Sequence, residues 1–574
     1  MRILGVNTGH DSGVCLIIDG VFVEVINEER FSGYKSHHGI PRRSISYVKN
    51  KYAIDTFDSI VTISASGRYQ TPLFGDSENE LLRKRGGEKL FAKSFLYKLK
   101  ILPVWRELRH TKAKYDQPKI ARKIQIKLRE LFPAEKITNL DHHLAHAWSA
   151  IAFSKKPQNA LIITLDGEGD GLCGSVNTYR DGNLNRELAI PTGAGIGTLY
   201  GKVTEFIGMR RNEHEYKIMG LAPYAKEVDG LKVLKYFRKL IWINKKEGIF
   251  ESSINVQYAK YRFLIDNLSN HRFDSIAWGI QKFTEELVLD FIKETLKKYD
   301  APDVYFSGGV FMNIKLNQII KSEVADRNLY FTPSCGDESL AIGAAKFGYD
   351  QETNLYSQNI TDLYLGTKYS DEEIAITLKE LGTDEFVITD YTKDEFAVEE
   401  AVASLLAKNE IVARFKGRME WGARALGNRS ILANPSDLNA VKKINEAIKN
   451  RDFWMPFAPT ILDTLAENII FNQSPSPYMT LGFNTKPHMI LKLNACVHPY
   501  DGTCRPQILT RNANPEYYQL ITSFAKYSEI GAILNTSFNL HGKPIVESPA
   551  DAIETLKQSG LRHLAIGNYL VSKK

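Results

Sequence analysis

The segment Asp141-His142-His143-Leu144-Ala145-His146-Ala147 is the clearest chemical signal in the chain. His142 and His146 stand at i and i+4, so on a helix they share a face and can offer two imidazoles to one metal ion. His143 falls on another face, as a supporting or surface residue. A histidine pair at this spacing also arises by coincidence, so two distant carboxylates weigh in the reading. Asp166 ends the apolar run 160–165, and Asp337 lies in Pro333-Ser334-Cys335-Gly336-Asp337-Glu338. Two histidines with one or two carboxylates suit Fe(II), Mn(II) or Zn(II), and spacing does not choose among them.

Two glycine-rich turns are weaker signals. Thr8-Gly9-His10-Asp11-Ser12-Gly13 and Ser307-Gly308-Gly309 are either tight turns or places where backbone N–H groups approach phosphate oxygens. His10 is the one group in the first turn able to carry a proton near neutral pH. The C-terminal half is rich in cations: Lys416, Arg418, Arg424 and Arg429, then Lys449, Arg451 and Arg505, closed by Asn535, Ser537 and Asn539. Arg and Lys interleaved with Gly and Asn suit capture of phosphate. Apolar neighbours such as Ile411-Val412-Ala413 argue against a merely solvated face.

The elements that must position these groups follow from periodicity. Residues 3–6, 14–18 and 21–26 read as three short strands around the first glycine turn and an Asp19-Gly20 hairpin. Residues 160–165, the acidic glycine turn 166–171 and a return strand near Val176 repeat that logic, which suggests a duplicated phosphate-handling fold. Residues 273–298 carry Ile276, Ile280, Phe283, Leu287 and Phe291 at helical spacing, and 304–306 form a buried strand. The stretch from about 79 to 131 reads mainly as a helical insertion. Its residues 83–129 hold 16 Lys or Arg against three acids, a net +13, while the whole chain carries +7. That bias is either a solvated face or a docking surface for an anionic acceptor, nucleic acid or membrane.

A chain of 574 residues exceeds one core, and its 43% hydrophobic and 25% charged composition is ordinary for globular domains. The polar segment from Tyr349 onward places a boundary, giving domains 1–354 and 355–574. Five cysteines, none in a Cys-x-x-Cys, argue against a disulfide framework and for a reducing cytoplasm. The N-terminus has no apolar signal-peptide core, and no apolar run reaches the ~20 residues of a membrane span.

The ordered set of these motifs resembles the O-carbamoyltransferase family of tobramycin carbamoyltransferase, nodulation protein U and cephamycin carbamoyltransferase. The likeness is carried by residues 5–13, 141–147, 165–167, 215–222, 307–313, 335–345, 416–430, 456–459, 501–505 and 534–544. It implies an α/β N-terminal domain of the actin, heat-shock-ATPase and sugar-kinase type, close to threonylcarbamoyl transferases, and a C-terminal α+β YrdC-like domain. The implied activity is ATP-dependent: carbamoyl phosphate and ATP, with Mg, give carbamoyl adenylate in the C-terminal domain. The carbamoyl group then passes in the N-terminal domain to an acceptor hydroxyl on a sugar or natural product. Carried over to this chain, His142, His146, Asp166 and Asp337 match the iron ligands and His10 the general base. Gly9, Lys217, Gly220, Gly308, Gly309 and Asn313 fall at the adenylate. Lys416, Arg418, Arg424, Arg429, Lys449, Arg451, Arg505, Asn535, Ser537 and Asn539 fall at carbamoyl phosphate and ATP. Two departures stand out, Met455 and His541, where many relatives carry Arg. The acceptor, expected to be anionic from the basic stretch, is not named by the sequence. No stable nucleic-acid partner is expected, and a homodimer is left open. The competing readings are a sugar kinase of the same fold, a tRNA-modifying carbamoyl-type transferase and a non-enzymatic nucleotide sensor.

Overall fold

The computed structural model describes residues 1–63, 122, 124–154, 159–254, 262–353, 355–381, 385–449, 452 and 454–574. Most of the basic stretch therefore lies outside the described residues; what is described, 124–131, is helical, with Ile124 and Leu128 buried.

The N-terminal part contains the same sheet twice. Strands β1 (Arg2–Asn7), β2 (Gly13–Ile18) and β3 (Val21–Asn27) form an antiparallel meander. Strands β4 (Ser59–Ile63) and β5 (Lys136–Leu140) extend it in parallel on the β1 side, giving the order β3-β2-β1-β4-β5. Strands β6 (Asn159–Gly169), β7 (Leu172–Arg180) and β8 (Asn183–Pro191) repeat the meander. Strands β9 (Asp303–Ser307) and β10 (Asn328–Phe331) repeat the parallel extension beside β6. The two five-stranded sheets thus share one topology, the duplication that the repeated strand-turn-strand pattern of the sequence suggests. Each first strand is buried on both faces, so it reads as a continuous apolar run rather than an alternation. One local expectation is corrected: Asp166 does not end its strand. β6 continues to Gly169 through an irregular register between Leu165 and Gly169, and the turn is Asp170-Gly171.

Three helices fix the geometry between the repeats. α1 (His142–Ala152) follows β5, α2 (Phe273–Lys298) buries Ile276, Ile280, Phe283, Leu287 and Phe291, and α3 (Leu340–Thr353) lies between the halves. α3 extends through the polar residues from Tyr349. It fits because two glycines let backbones meet. A Cβ on Gly343 would lie 1.9 Å from the Ala145 carbonyl oxygen of α1, and one on Gly5 of β1 would lie 2.1 Å from that of Ala341. The start of α1 and the loop entering α3 are thereby brought together.

The C-terminal part is built on one eight-stranded mixed sheet. Its strands are β11 (Phe386–Asp390), β12 (Val412–Phe415), β13 (Arg429–Ala433), β14 (Ala458–Leu462), β15 (Gln507–Leu509), β16 (Ala532–Ser537), β17 (His563–Ile566) and β18 (Tyr569–Lys573). They run in the order β11-β18-β17-β12-β13-β16-β14-β15, with apolar clusters on both faces. All five cysteines are free and buried. Among the described residues no helix is long and apolar enough to cross a membrane.

Candidate metal centre and inter-domain cavity

α1 starts at Asp141, whose carboxylate caps the helix by accepting from the Leu144 N–H (3.0 Å) and is itself held by Arg186. That start fixes His142 and His146 one turn apart with ring centroids separated by 4.8 Å. Asp166 on β6 approaches His142 Nε2 at 3.3 Å, while Asp337, entering α3, lies 3.6 Å from Nε2 of both histidines. One ligand atom from each of the four residues lies within 4.8 Å of every other. His146 Nε2 is buried and has no hydrogen-bond partner, an arrangement that costs free energy unless something completes it. Two imidazole nitrogens and two carboxylate oxygens converging around an orphaned buried nitrogen fit a divalent cation.

The supporting contacts are specific. Asp166 accepts the Gly309 N–H at 3.1 Å, which ties β6 to the second glycine turn. Asn7 donates to the carbonyls of His10 (2.8 Å) and Asp337 (3.0 Å), which ties the first glycine turn to the ligand loop. The His142 N–H donates to Asp170 at 2.8 Å. His143 is fully buried rather than at the surface; it contacts Thr164 Oγ1 at 2.9 Å and the Leu172 carbonyl at 3.3 Å. Burial and the neighbouring charges of His142 and His146 push His143 down to about 3. Burial opposes a charge on His142 too, but Asp337 and Asp166 outweigh it and raise it to about 9. Asp166, despite burial, is held well below the carboxylate range by His142 and His146. The site favours positive charge between its carboxylates, as a cation site should.

The centre opens into a cavity of about 510 Å³ lined by both domains. Gly9, His10, His142, Asp166, Gly309, Asn313 and Asp337 line it from the N-terminal side, and Arg424, Ser537, Asn539 and Lys543 from the C-terminal side. Its remaining wall mixes charges, with Glu29, Glu168, Glu213 and Glu215 beside Arg30, Lys35 and Arg211.

Two family models match this chain: Carbamoyltransferase N-terminus over residues 2–346 and Carbamoyltransferase C-terminus over residues 403–573. The chain belongs to the carbamoyltransferase family. An uncharacterized protein of Methanocaldococcus jannaschii is 30% identical across 100% of this chain and 99% of its own length. An uncharacterized protein of Synechocystis sp. is 29% identical, covering 100% and 97%. Nodulation protein NolNO of Sinorhizobium fredii is 27% identical, covering 98% and 79%.

Within this carbamoyltransferase the expected phosphate ligands divide into two groups. Lys449 ends a π-helical turn (Asn445–Lys449), and its ammonium donates to Ser537 Oγ (3.0 Å) and Asn539 Oδ1 (2.6 Å). Those two and Arg424 reach the cavity. His541, one of the two departures, donates from Nδ1 to the Lys449 carbonyl at 2.6 Å. Arg451 lies outside the described residues.

The other expected ligands are held by internal contacts and do not line the cavity. Lys416 pairs with buried Glu399 at 2.7 Å and with Asn568 at 2.9 Å. Arg429 is fully buried, stacks 3.7 Å over Phe415 and donates to the carbonyls of Lys416 and Asn428. Arg418 donates to the carbonyls of Leu365 and Gly366 in its own domain and reaches across the domain boundary to the Val23 carbonyl and Glu24. Asn535 donates to the Ala425 carbonyl and Thr460. Lys217 pairs with Asp452 of the C-terminal domain at 2.8 Å. Gly220 abuts Met455, the other departure: a Cβ there would lie 2.5 Å from its sulfur. Gly308 has φ +95°, and a Cβ there would lie 2.3 Å from the Leu165 carbonyl oxygen, so backbone conformation and close packing both require glycine there. Arg505 is half-buried and also off the cavity wall. Asp11, His38, Glu338 and Lys543, which the sequence did not single out, do line it. Their signal was only adjacency: each stands within four residues of a residue already chosen or, for His38, in a His-His pair.

Proposed function

We propose that this family member is an ATP-dependent O-carbamoyltransferase that uses carbamoyl phosphate. The observation that carries the reading is the shared cavity, with the four-ligand cluster on one wall and Arg424, Ser537, Asn539 and Lys543 on the other. Carbamoyl phosphate is hydrolysed to carbamate and phosphate. Carbamate oxygen then attacks the ATP α-phosphorus, pyrophosphate leaves, and carbamoyl adenylate forms beside the C-terminal cations. These cations hold anionic groups in a low-dielectric site, where positioning and charge compensation do most of the catalytic work. ATP brings Mg with it.

The acceptor hydroxyl then attacks the carbamoyl carbon, and AMP departs. His142, His146, Asp166 and Asp337 would hold a divalent metal, Fe(II) first with Mn(II) or Zn(II) also suited to the donors, which supplies Lewis-acid polarisation of a carbonyl or phosphoryl oxygen. Arg424 and Lys543 favour the adenylate phosphate, and Asn7 keeps the His10 turn against the ligand loop. A sugar or natural-product hydroxyl is the proposed acceptor, in a cytoplasmic enzyme. The test is incubation with ATP and isotope-labelled carbamoyl phosphate: pyrophosphate and AMP support the reading, and acceptor-dependent ADP would instead make the protein a kinase.

A further inference from the structure

We propose that Ser334 is a positioning residue for Arg424: it pins the C-terminal loop that carries this arginine onto the loop that carries the ligand Asp337. The cation that holds phosphate and the metal centre are thereby set as one unit; this rests on the carbamoyl-transfer reading above.

The pinned loop is Trp421-Gly422-Ala423-Arg424. Its ends are fastened within the C-terminal domain. The Trp421 N–H donates to the Leu363 carbonyl at 2.7 Å, and buried Glu420 accepts the Leu426 N–H at 2.6 Å. Its middle is fastened by the other domain. The Ala423 N–H donates to Ser334 Oγ at 3.2 Å, and that hydroxyl donates in turn to the Glu338 carboxylate. Ser334 is buried and stands three residues before Asp337, and Glu338 stands one after it, so a single hydroxyl ties both ends of the ligand loop to the arginine loop. A second hold comes from Arg30, whose side chain pairs with Glu29 and donates to the Gly422 carbonyl at 3.2 Å.

Gly422 makes the approach possible. It has φ +104°, and a Cβ there would lie 2.9 Å from Ser334 Cβ and 3.0 Å from its Oγ, so a larger residue would lift the loop away. Two positions on, Arg424 lines the cavity together with Gly336, Asp337 and Glu338. Ser334 does not line the cavity, so its effect on a bound phosphate passes through Arg424.

The consequence is pre-organisation. A long side chain on an untethered loop must be ordered when the ligand arrives, and that ordering weakens binding. A loop already tied to the metal centre presents its cation in place. It also sets the phosphate of the adenylate relative to the metal, where a shift of about 1 Å can slow transfer by about 10²-fold.

Two measurements on the full-length metal-loaded protein test this. Calorimetric titration with AMP should show Ser334→Ala weakening binding by about 3–10-fold, the worth of one such hydrogen bond. In an Arg424→Ala background Ser334→Ala should have no further effect, because the group it positions is gone. Gly422→Ala, which leaves both N-terminal contacts in sequence, should repeat that pattern and replaces Ser334→Ala should the latter fail to fold. Equal weakening in both backgrounds, or none in either, overturns the proposal, since the contact would then be packing alone. Hydrogen exchange of a peptide containing Ala423 supplies the second readout. Deuterium uptake should rise in Ser334→Ala and stay at the wild-type level in Arg424→Ala; uptake unchanged in Ser334→Ala also overturns the proposal. A wild-type protein that forms no pyrophosphate from ATP and carbamoyl phosphate sinks the functional reading itself, and the exchange of the Ala423 amide then judges the pin independently.

Discussion

Replacing Gly169 with alanine perturbs one ligand of the metal centre without replacing any of the four ligand residues. An added Cβ falls 2.1 Å from Cδ2, 2.2 Å from Cγ and 2.7 Å from Nε2 of His142. Ordinary contact begins at 3.4 Å, so the imidazole must retreat by about 1.3 Å. His142 is buried on α1 and its N–H is tied to Asp170, so the retreat falls on the ring, whose position relative to Asp166 and Asp337 must change. Metal sites tolerate only ~0.2 Å in ligand distance. Loss of a residue that merely orients a ligand already costs ~10–100-fold in metal affinity, and Gly169→Ala should cost at least that much. The assay is metal content by elemental mass spectrometry after dialysis against graded chelator, with thermal melting to follow the fold. Gly169→Ala that stays folded and keeps metal with wild-type affinity would refute the reasoning, because the ring position would then not matter.

Other outcomes follow from the same contacts. His142→Ala and His146→Ala should each lose bound metal and transfer to acceptor while still forming pyrophosphate from ATP and carbamoyl phosphate; transfer at the wild-type rate would make the pair structural. His143 sits at about 3, below its unfolded value near 6.5, so the unfolded chain takes up the proton first. Stability of the metal-free protein should therefore fall below pH 6.5 by ~1.4 kcal/mol per pH unit from this residue alone. Urea denaturation of His143→Gln between pH 4 and 6 should show a slope flatter by that amount. Arg418→Ala removes donors to Val23, Leu365 and Gly366 and one partner of buried Glu24. It should lower stability by about 1–3 kcal/mol in chemical denaturation and leave the KM for carbamoyl phosphate unchanged, whereas a phosphate ligand would raise that KM.

The duplicated domain was legible because its signals are local. Each repeat opens with an apolar strand, a turn and a return strand, and β1 and β6 lie close to where periodicity placed them. The His142–His146 pair was legible because helix geometry alone puts i and i+4 on one face. What sequence did not reveal is direction. Lys416, Arg418 and Arg429 have the composition of a phosphate site, but Glu399, Glu24 and a set of carbonyls claim them, partners that become neighbours only once the chain is folded. Buried cations need such partners, so a flank of apolar residues is as much a sign of an internal ion pair as of a ligand site. Asp11 and His38 were passed over for the opposite reason: their importance comes from a turn that folds one onto His10 and a loop that brings the other to the same cavity. The anionic acceptor expected from residues 83–129 concerns positions outside the described residues, and the mixed charge of the described cavity wall favours neither sign.

The most direct measurement is product analysis of the purified protein with ATP and isotope-labelled carbamoyl phosphate, resolved by ion-exchange chromatography and mass spectrometry. The account predicts pyrophosphate, phosphate and AMP, with label in carbamoyl adenylate or its breakdown products when no acceptor is added. ADP as the nucleotide product, or ATP left intact while carbamoyl phosphate is consumed, would contradict it.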